Sequence, residues 1–231
     1  MGKKEKKEFI INNSILEKYN GKNKDIIIPN DVVAIGKEAF MGCNKIKSIV
    51  IPDTVISLGD RAFCDCKKLQ QITIPDTVRS IGVGAFAGCV SLKSINIPNS
   101  ITRIEQATFA ECKKIKAFDI PDGVKYIGQS AFAQCYSLKS LEIPYGVTKL
   151  EINILIQCKN LKHLYIPESV THISIWVCPG CKKLKSVYYG GTISQWESRK
   201  MEPAAFDGDI TVKCIDGKCK HYHDTNMPLF G

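Results

Sequence analysis

Proline stands at Pro29, Pro52, Pro75, Pro98, Pro121, Pro144 and Pro167, and cysteine at Cys43, Cys66, Cys89, Cys112, Cys135, Cys158 and Cys181, so both recur every 23 residues along most of the chain. A period of this length without a slip belongs to a solenoid, in which each unit is too small to bury its own apolar face and stacks on its neighbours. The apolar residues keep the same step. Ile28, Ile51, Ile74, Ile97, Ile120, Ile143 and Ile166 precede the prolines, and Ile26, Ile49, Ile72, Ile95, Phe118, Leu141 and Leu164 stand two places earlier. That alternation predicts a short strand per unit with one face inside. A proline at the strand's end stops it at a fixed place and loses little. Val32, Val55, Val78, Ile101, Val124, Val147 and Val170, each followed three residues on by Ile or Leu, fit a second, shorter extended segment. The run Ala-Phe-x-x-Cys, as in Ala85 to Cys89, has the apolar spacing of a single helical turn that returns the chain to the next strand.

The unit L-x-x-I-x-I-P-x-x-V-x-x-I-G-x-x-A-F-x-x-C, read almost as a consensus in Leu69 to Cys89 and Leu92 to Cys112, resembles the BspA-like subtype of leucine-rich repeat. The resemblance spans residues 9 to 215. It implies a right-handed, curved α/β repeat solenoid with a parallel concave sheet of about eight strands and single helical turns on the convex side. It also implies a secreted or surface protein that binds other proteins or host material. Tyr188 to Thr192 with Trp196 looks like the family's closing segment, and Phe9 to Gly21 like its opening hairpin. Departures gather in the last two repeats, where Glu151 and Ser174 stand for the family glycine and Leu155 and Cys178 for the phenylalanine.

The expected organisation is a charged, frayed segment at 1–8, a capping hairpin at 9–22, seven repeats and a closing strand at 23–189, a C-terminal cap at 190–219 and a tail at 220–231. Charged residues at 24% and apolar residues at 44% exclude general disorder. The first eight residues have no apolar core after their lysines, and no later run is long and apolar enough to span a bilayer. As written, the chain reads as cytoplasmic; with a signal removed upstream it reads as extracellular or surface-borne.

Seven of the eleven cysteines share one column between apolar positions, which reads as buried, reduced thiols packing as small hydrophobes. Cys214, Cys219, His221 and His223 form a weak zinc candidate, since C-x4-C-x-H-x-H is not a usual ligand spacing. Asp216-Gly217 is also a hairpin signal that would set the two cysteines across from each other, as a disulfide or as free thiols. No nucleophile elbow, phosphate loop or paired catalytic group emerges, and neither an enzyme nor a cofactor is expected.

Charge and aromatic residues carry the functional reading. Lys47, Lys93, Lys116, Lys139, Lys162 and Lys185 fall in one column, which stacking turns into a basic edge. The plain reading is a solvated rim that discourages edge association; the sharper one is a polyanion or cell-surface binder. Lysine with very little arginine and few interleaved aromatics argues against nucleic acid. On the concave side the outward columns bring Tyr165, Tyr188, His163 and Tyr145 beside Asp119 and Glu142. Aromatics on a rigid wall suit an interface that recognises a protein or a glycan; the alternative is cover for the sheet beneath the C-terminal cap. Ile152, Ile156, Ile175 and Trp176 form an apolar patch on the convex side, covered either by the chain's own Trp196, Met201 or Phe206 or by a second copy, so that the molecule is a monomer or a homodimer.

Overall fold

The structure, a computed structural model, describes residues 8–201, 204–206 and 208–221, with the backbone alone for His221. The segment before Glu8, the tail from residue 222 and with it His223 lie outside the described residues.

Repeats stack so that like residues pair with like. In the sheet of longer strands, Asp25–Ile27, Ser48–Val50 and Gln71–Thr73 form one parallel ladder. Ser140–Glu142, His163–Ile166 and Ser186–Tyr189 form another, which Ile210–Cys214 extends in parallel and Gly217–His221 closes antiparallel. The register is the sequence period: Ile26 pairs with Ile49 and Ile49 with Ile72, Leu141 with Leu164 and Leu164 with Val187, all of them buried. A second sheet of two-residue strands runs beside it, from Ala34–Ile35 through Ser57–Leu58 to Ser80–Ile81, with further pairs down to His172–Ile173. The core lies between the two sheets and the return turns as one continuous cluster.

The period predicts an unbroken ladder of about eight strands, yet no strand forms at 94–96 or 117–119. Two side chains account for the gap. Where Ile28 and Ile143 donate their N–H to the backbone carbonyls of Val50 and Tyr165, Ile74 donates to Asn96 Oδ1 at 3.0 Å, and Asn96 Nδ2 donates back to the Ile74 carbonyl at 2.7 Å. The asparagine amide thus stands in for the peptide that would have paired. Phe118 occupies a position held elsewhere by Ile or Leu, with its ring 5.1 Å from Phe109 and 4.6 Å from Phe132. The phenylalanine stack opens there, from 5.2 Å between Phe40, Phe63 and Phe86 to 5.9 and 5.8 Å on either side of Phe109.

The return turns are tighter than an α-helical turn. Each uses two left-handed residues, in columns running Glu38, Arg61, Gly84, Ala107, Ser130, Asn153, Trp176 and Gly42, Asp65, Gly88, Glu111, Gln134, Gln157, Gly180. Bonds such as Ala39 N–H to Gly36 C=O and Cys43 N–H to Phe40 C=O close the turns. The left-handed residues aim their own N–H at the next repeat, Glu38 to Asp60 C=O at 2.9 Å and Gly42 to Cys64 C=O at 2.8 Å. Glycine is needed at Gly59, Gly82 and Gly128 for a different reason: a Cβ would come within 2.5–2.7 Å of a backbone nitrogen of the preceding repeat. Departure from that column begins before the last two repeats, since Glu105 already occupies it and answers Arg103 at 2.7 Å.

The column cysteines are more than packing. Thiols of Cys66, Cys89, Cys112, Cys135, Cys158 and Cys181 donate to the carbonyls of Phe40, Phe63, Phe86, Phe109, Phe132 and Leu155, at 3.1–3.4 Å. None of the eleven cysteines, all of them described residues, forms a disulfide. Hydroxyls of Thr54, Thr77 and Ser169 likewise donate to Val32, Val55 and Val147 one repeat back.

Both ends are covered. Phe9–Asn12 and Ile15–Tyr19 form a hairpin whose turn residues Asn13 and Ser14 both have positive φ, as a primed turn requires. It joins the sheet of short strands, through Ile15 and Leu16 against Ala34 and Ile35, and it continues the aromatic stack with Tyr19 on Phe40 at 5.2 Å and Phe9 on Tyr19 at 5.3 Å. At the other end Lys200–Met201 pairs with His172–Ile173, and Trp176 and Val177 donate to Ala204 and Ala205. Ala204 is left-handed and Phe206 is buried beside Trp196, so 204–206 carry the features of an eighth return turn. It comes 28 residues after its counterpart instead of 23; the helix Ile193–Ser198, capped by Thr192 and Gln195, lies in the longer connection.

Phe86 is fully buried between Phe63 and Phe109, so Phe86→Ala leaves a cavity bounded by two neighbours and should cost about 3–5 kcal/mol in denaturant unfolding. A loss below about 1 kcal/mol contradicts the stack.

Burial pushes the Cys66 and Cys135 thiols up to about 12, and those of Cys89 and Cys112 well above their ordinary 9.0. Below about pH 9 both states keep their protons. Above it the unfolded chain ionises while the native one does not, so the unfolded state binds fewer protons and native stability falls by about 1.4 kcal/mol per pH unit for each such thiol. Denaturant midpoints measured from pH 8 to 11 should therefore drop steeply, and a Cys89→Ala/Cys112→Ala protein should show a shallower slope. Equal slopes contradict the assignment.

Candidate functional site

The outward positions of the long sheet are fixed by its register. Glu142, Tyr165, Tyr188 and Lys213 are successive Cα partners, and Ser140, His163, Ser186 and Thr211 form the next column. One strand spacing separates neighbours, so the tyrosine rings stack at 4.8 Å with 19° between planes. His163 lies 6.5 Å from Tyr165 and 6.0 Å from Tyr188. Lys213, which sequence reasoning did not single out, puts its Nζ 3.0 Å from the Tyr188 hydroxyl and 4.5 Å from the ring centroid. It escaped notice because it lies beyond the last regular repeat.

Glu142 is exposed beside Tyr165, and Asp119 is exposed one repeat earlier, where the ladder is open. Tyr165 is 40% and Tyr145 65% exposed. The structure does not bring Tyr145 into the ring cluster; among the described residues it makes no ring contact. It stands just past Pro144, in a column that the period makes legible but that the lysines overshadow: Asp53, Asp76, Asn99, Asp122, Tyr145 and Glu168, all exposed. The face of the long sheet therefore has an acidic rim opposite its basic one.

On the basic rim Lys47, Lys93, Lys116, Lys139, Lys162 and Lys185 are all exposed, and none is in an ion pair among the described residues. Their backbones bond along the column, Lys139 N–H to Lys116 C=O at 3.1 Å and Lys162 N–H to Lys139 C=O at 2.8 Å. On the opposite side of the solenoid Ile152, Ile156 and Ile175 are half-buried and Trp176 is 37% exposed. The cap's residues 204–205 seat on the backbone of Trp176 and Val177, while Trp196 and Phe206 turn inward against Tyr189 and each other. Arg199 ties cap to solenoid: its guanidinium lies over Tyr189 and Trp196, and its Nε donates to Val170 C=O at 3.0 Å.

The C-terminal hairpin turns at Ile215-Asp216, one residue earlier than Asp216-Gly217 implies. Cys214 therefore pairs with Gly217 and Cys219 with Val212, and the two thiols sit diagonally. Both are free, burial raises both, and each lies close enough to influence the other. No group of three or more metal-ligating side chains occurs among the described residues; the side chain of His221 and all of His223 lie outside them. No helix among the described residues is long and apolar enough to cross a membrane.

The model of the BspA type leucine-rich repeat region matches residues 10–102 and 80–206, in 6 copies, and the chain belongs to that family. Its members are repeat scaffolds with surface and interaction roles, generally without enzymatic activity. The fold is that of the leucine-rich repeat protein of T. pallidum, a crystal structure with TM-score 0.67 and 29% identity over 84% of this chain and 94% of that one. A leucine-rich cell surface protein from Faecalibacterium prausnitzii A2-165 is 20% identical over 83% of this chain and 95% of its own, with TM-score 0.39. A leucine-rich repeat protein from Bacteroides ovatus is 24% identical over 77% and 66%, also with TM-score 0.39. No curated protein sequence matches the chain.

Because Trp176 and Val177 bond to 204–205, removing residues 192–231 strips hydrogen-bond partners and exposes Val187 and Tyr189 along with the isoleucine patch. Light scattering should show the truncated chain aggregating. An unchanged dimer would assign the patch to a second copy, and a soluble monomer would refute both covers.

Proposed function

We propose that the chain is a non-enzymatic binding module that recognises a protein or a glycan through the outward face of its long sheet, centred on Tyr165 and Tyr188 with His163, Glu142 and Asp119. The observation that carries this is the stacked tyrosine pair. Two aromatic rings are held on adjacent hydrogen-bonded strands, Tyr165 40% exposed and Tyr188 half-buried with Lys213 over its ring. Rigid aromatics bury much area on binding and lose little entropy, which is the composition of an interface hot spot.

Capture from a lysate with mass spectrometry, comparing the wild type with Tyr165→Ala/Tyr188→Ala, tests the reading. A partner held by the wall survives moderate salt and is lost at least about tenfold in the double variant, which removes more than about 2 kcal/mol. Retention of every partner by that variant sinks it. A second reading rests on the exposed, unpaired lysine rim: a polyanion bound electrostatically. It requires retention on heparin to fall steeply with salt and to weaken in Lys116→Ser/Lys139→Ser/Lys162→Ser, with the tyrosines indifferent.

A further inference from the structure

The stacked tyrosines have two outer faces with different surroundings. At the Tyr188 end the protein supplies its own cation, the Lys213 ammonium 4.5 Å from the ring centroid. At the Tyr165 end no cation lies over the ring among the described residues. The next residue in register is Glu142, then Asp119, and the adjoining column carries Asp122 and Glu168 on either side of exposed Tyr145. All four carboxylates are exposed, and none is in an ion pair among the described residues. On a chain of net charge +9, this quadrant combines two accessible aromatic rings with a local excess of negative charge.

We propose that this quadrant docks a basic peptide segment of the partner, with an arginine or lysine side chain seated on the free face of Tyr165 and its charge held by Glu142 and Asp119. The proposal rests on the binding reading above and names the partner's chemistry. Lys213 on Tyr188 is the same contact made within the chain. A ring face attracts a cation through its quadrupole, and a carboxylate one strand away supplies the charge partner that a guanidinium fits with two parallel hydrogen bonds. The basic rim lies on the other side of the sheet face, about 10 Å along the strands from Glu142 and Asp119 and about 20 Å from Asp122 and Glu168, so the field across the face orients an incoming segment with its positive end toward the acidic rim. A neutral glycan would use the rings and leave four carboxylates without a role.

The test is an NMR titration of the full chain with the peptide Ac-Gly-Arg-Gly-Arg-Gly-NH2 and its twin carrying citrulline in place of arginine, which keeps the planar shape but loses the charge and puts a carbonyl oxygen where one NH2 group stood. Saturable shifts of the Tyr165 ring signals are expected with the arginine peptide and not with the citrulline one. Tyr165→Leu should abolish the accompanying shifts of the Tyr188 ring and the Glu142 amide, and Glu142→Gln should weaken binding about two- to fivefold; both sites are exposed, and thermal melts check that both variants fold. Equal response to the two peptides, or no response at Tyr165, overturns the proposal. If the peptide fails while Tyr165→Ala/Tyr188→Ala still loses the captured partner, only the basic-segment claim falls; if both fail, the binding reading falls with it.

Discussion

Stacking of like on like along one axis is the constraint on which the rest of this structure depends. A 23-residue unit cannot enclose a core, but seven stacked copies place phenylalanine on phenylalanine at 5.2–5.9 Å through the first five, thiol beneath thiol, and backbone N–H opposite the next repeat's carbonyl. Each interaction is modest and is repeated at every interface. The same logic makes local changes felt by neighbours. One Asn96 amide replaces a stretch of ladder, and one Phe118 ring widens two stacking distances. It also explains the caps: an end repeat has lost half of its partners, so Tyr19 and Phe9 continue the aromatic column at one end, and Lys200, Met201, Ala204 and Ala205 continue the hydrogen-bonded columns at the other.

What the sequence makes legible follows from the same constraint. Columns of buried isoleucine, valine, phenylalanine and cysteine are visible because burial restricts the side chain at each repeat. The left-handed columns are not, because Glu38, Arg61, Ala107, Ser130 and Asn153 share a φ without sharing a side-chain chemistry. Where the period ends, legibility ends: five extra residues hide the eighth turn, so Ala205 and Phe206 do not register as the alanine and phenylalanine of a repeat. The Cys214–Cys219 hairpin shows the limit of turn signals, since its turn slips one residue from Asp216-Gly217 and moves the thiols from opposite to diagonal.

The candidate site divides in the same way. Tyr165, Tyr188 and His163 are placed together by the period alone, and the structure adds how close they stand. Tyr145 has the right position in its repeat but lies past the proline, where the chain has left the strand, so counting columns overstates its nearness to the rings. Lys213 was invisible because the strand carrying it enters the sheet 25 residues after Tyr188 instead of 23.

A solenoid copies charge as faithfully as it copies core, and this turns isolated surface residues into continuous lines. Lysines before the strands, interrupted only by Gln70, and acids after four of the seven prolines put opposite charges on the two rims of one sheet face, a polarity that the net charge of +9 conceals. Exposed ions spaced about 5 Å apart on one rim repel one another and are screened within roughly 10 Å by salt. Neither rim therefore adds to stability, whereas both shape the field that an approaching partner meets. The tyrosine pair sits between them on hydrogen-bonded strands, where its geometry is fixed before any partner arrives. Charge on such a face governs approach and orientation, and the aromatic contact governs how long the partner stays.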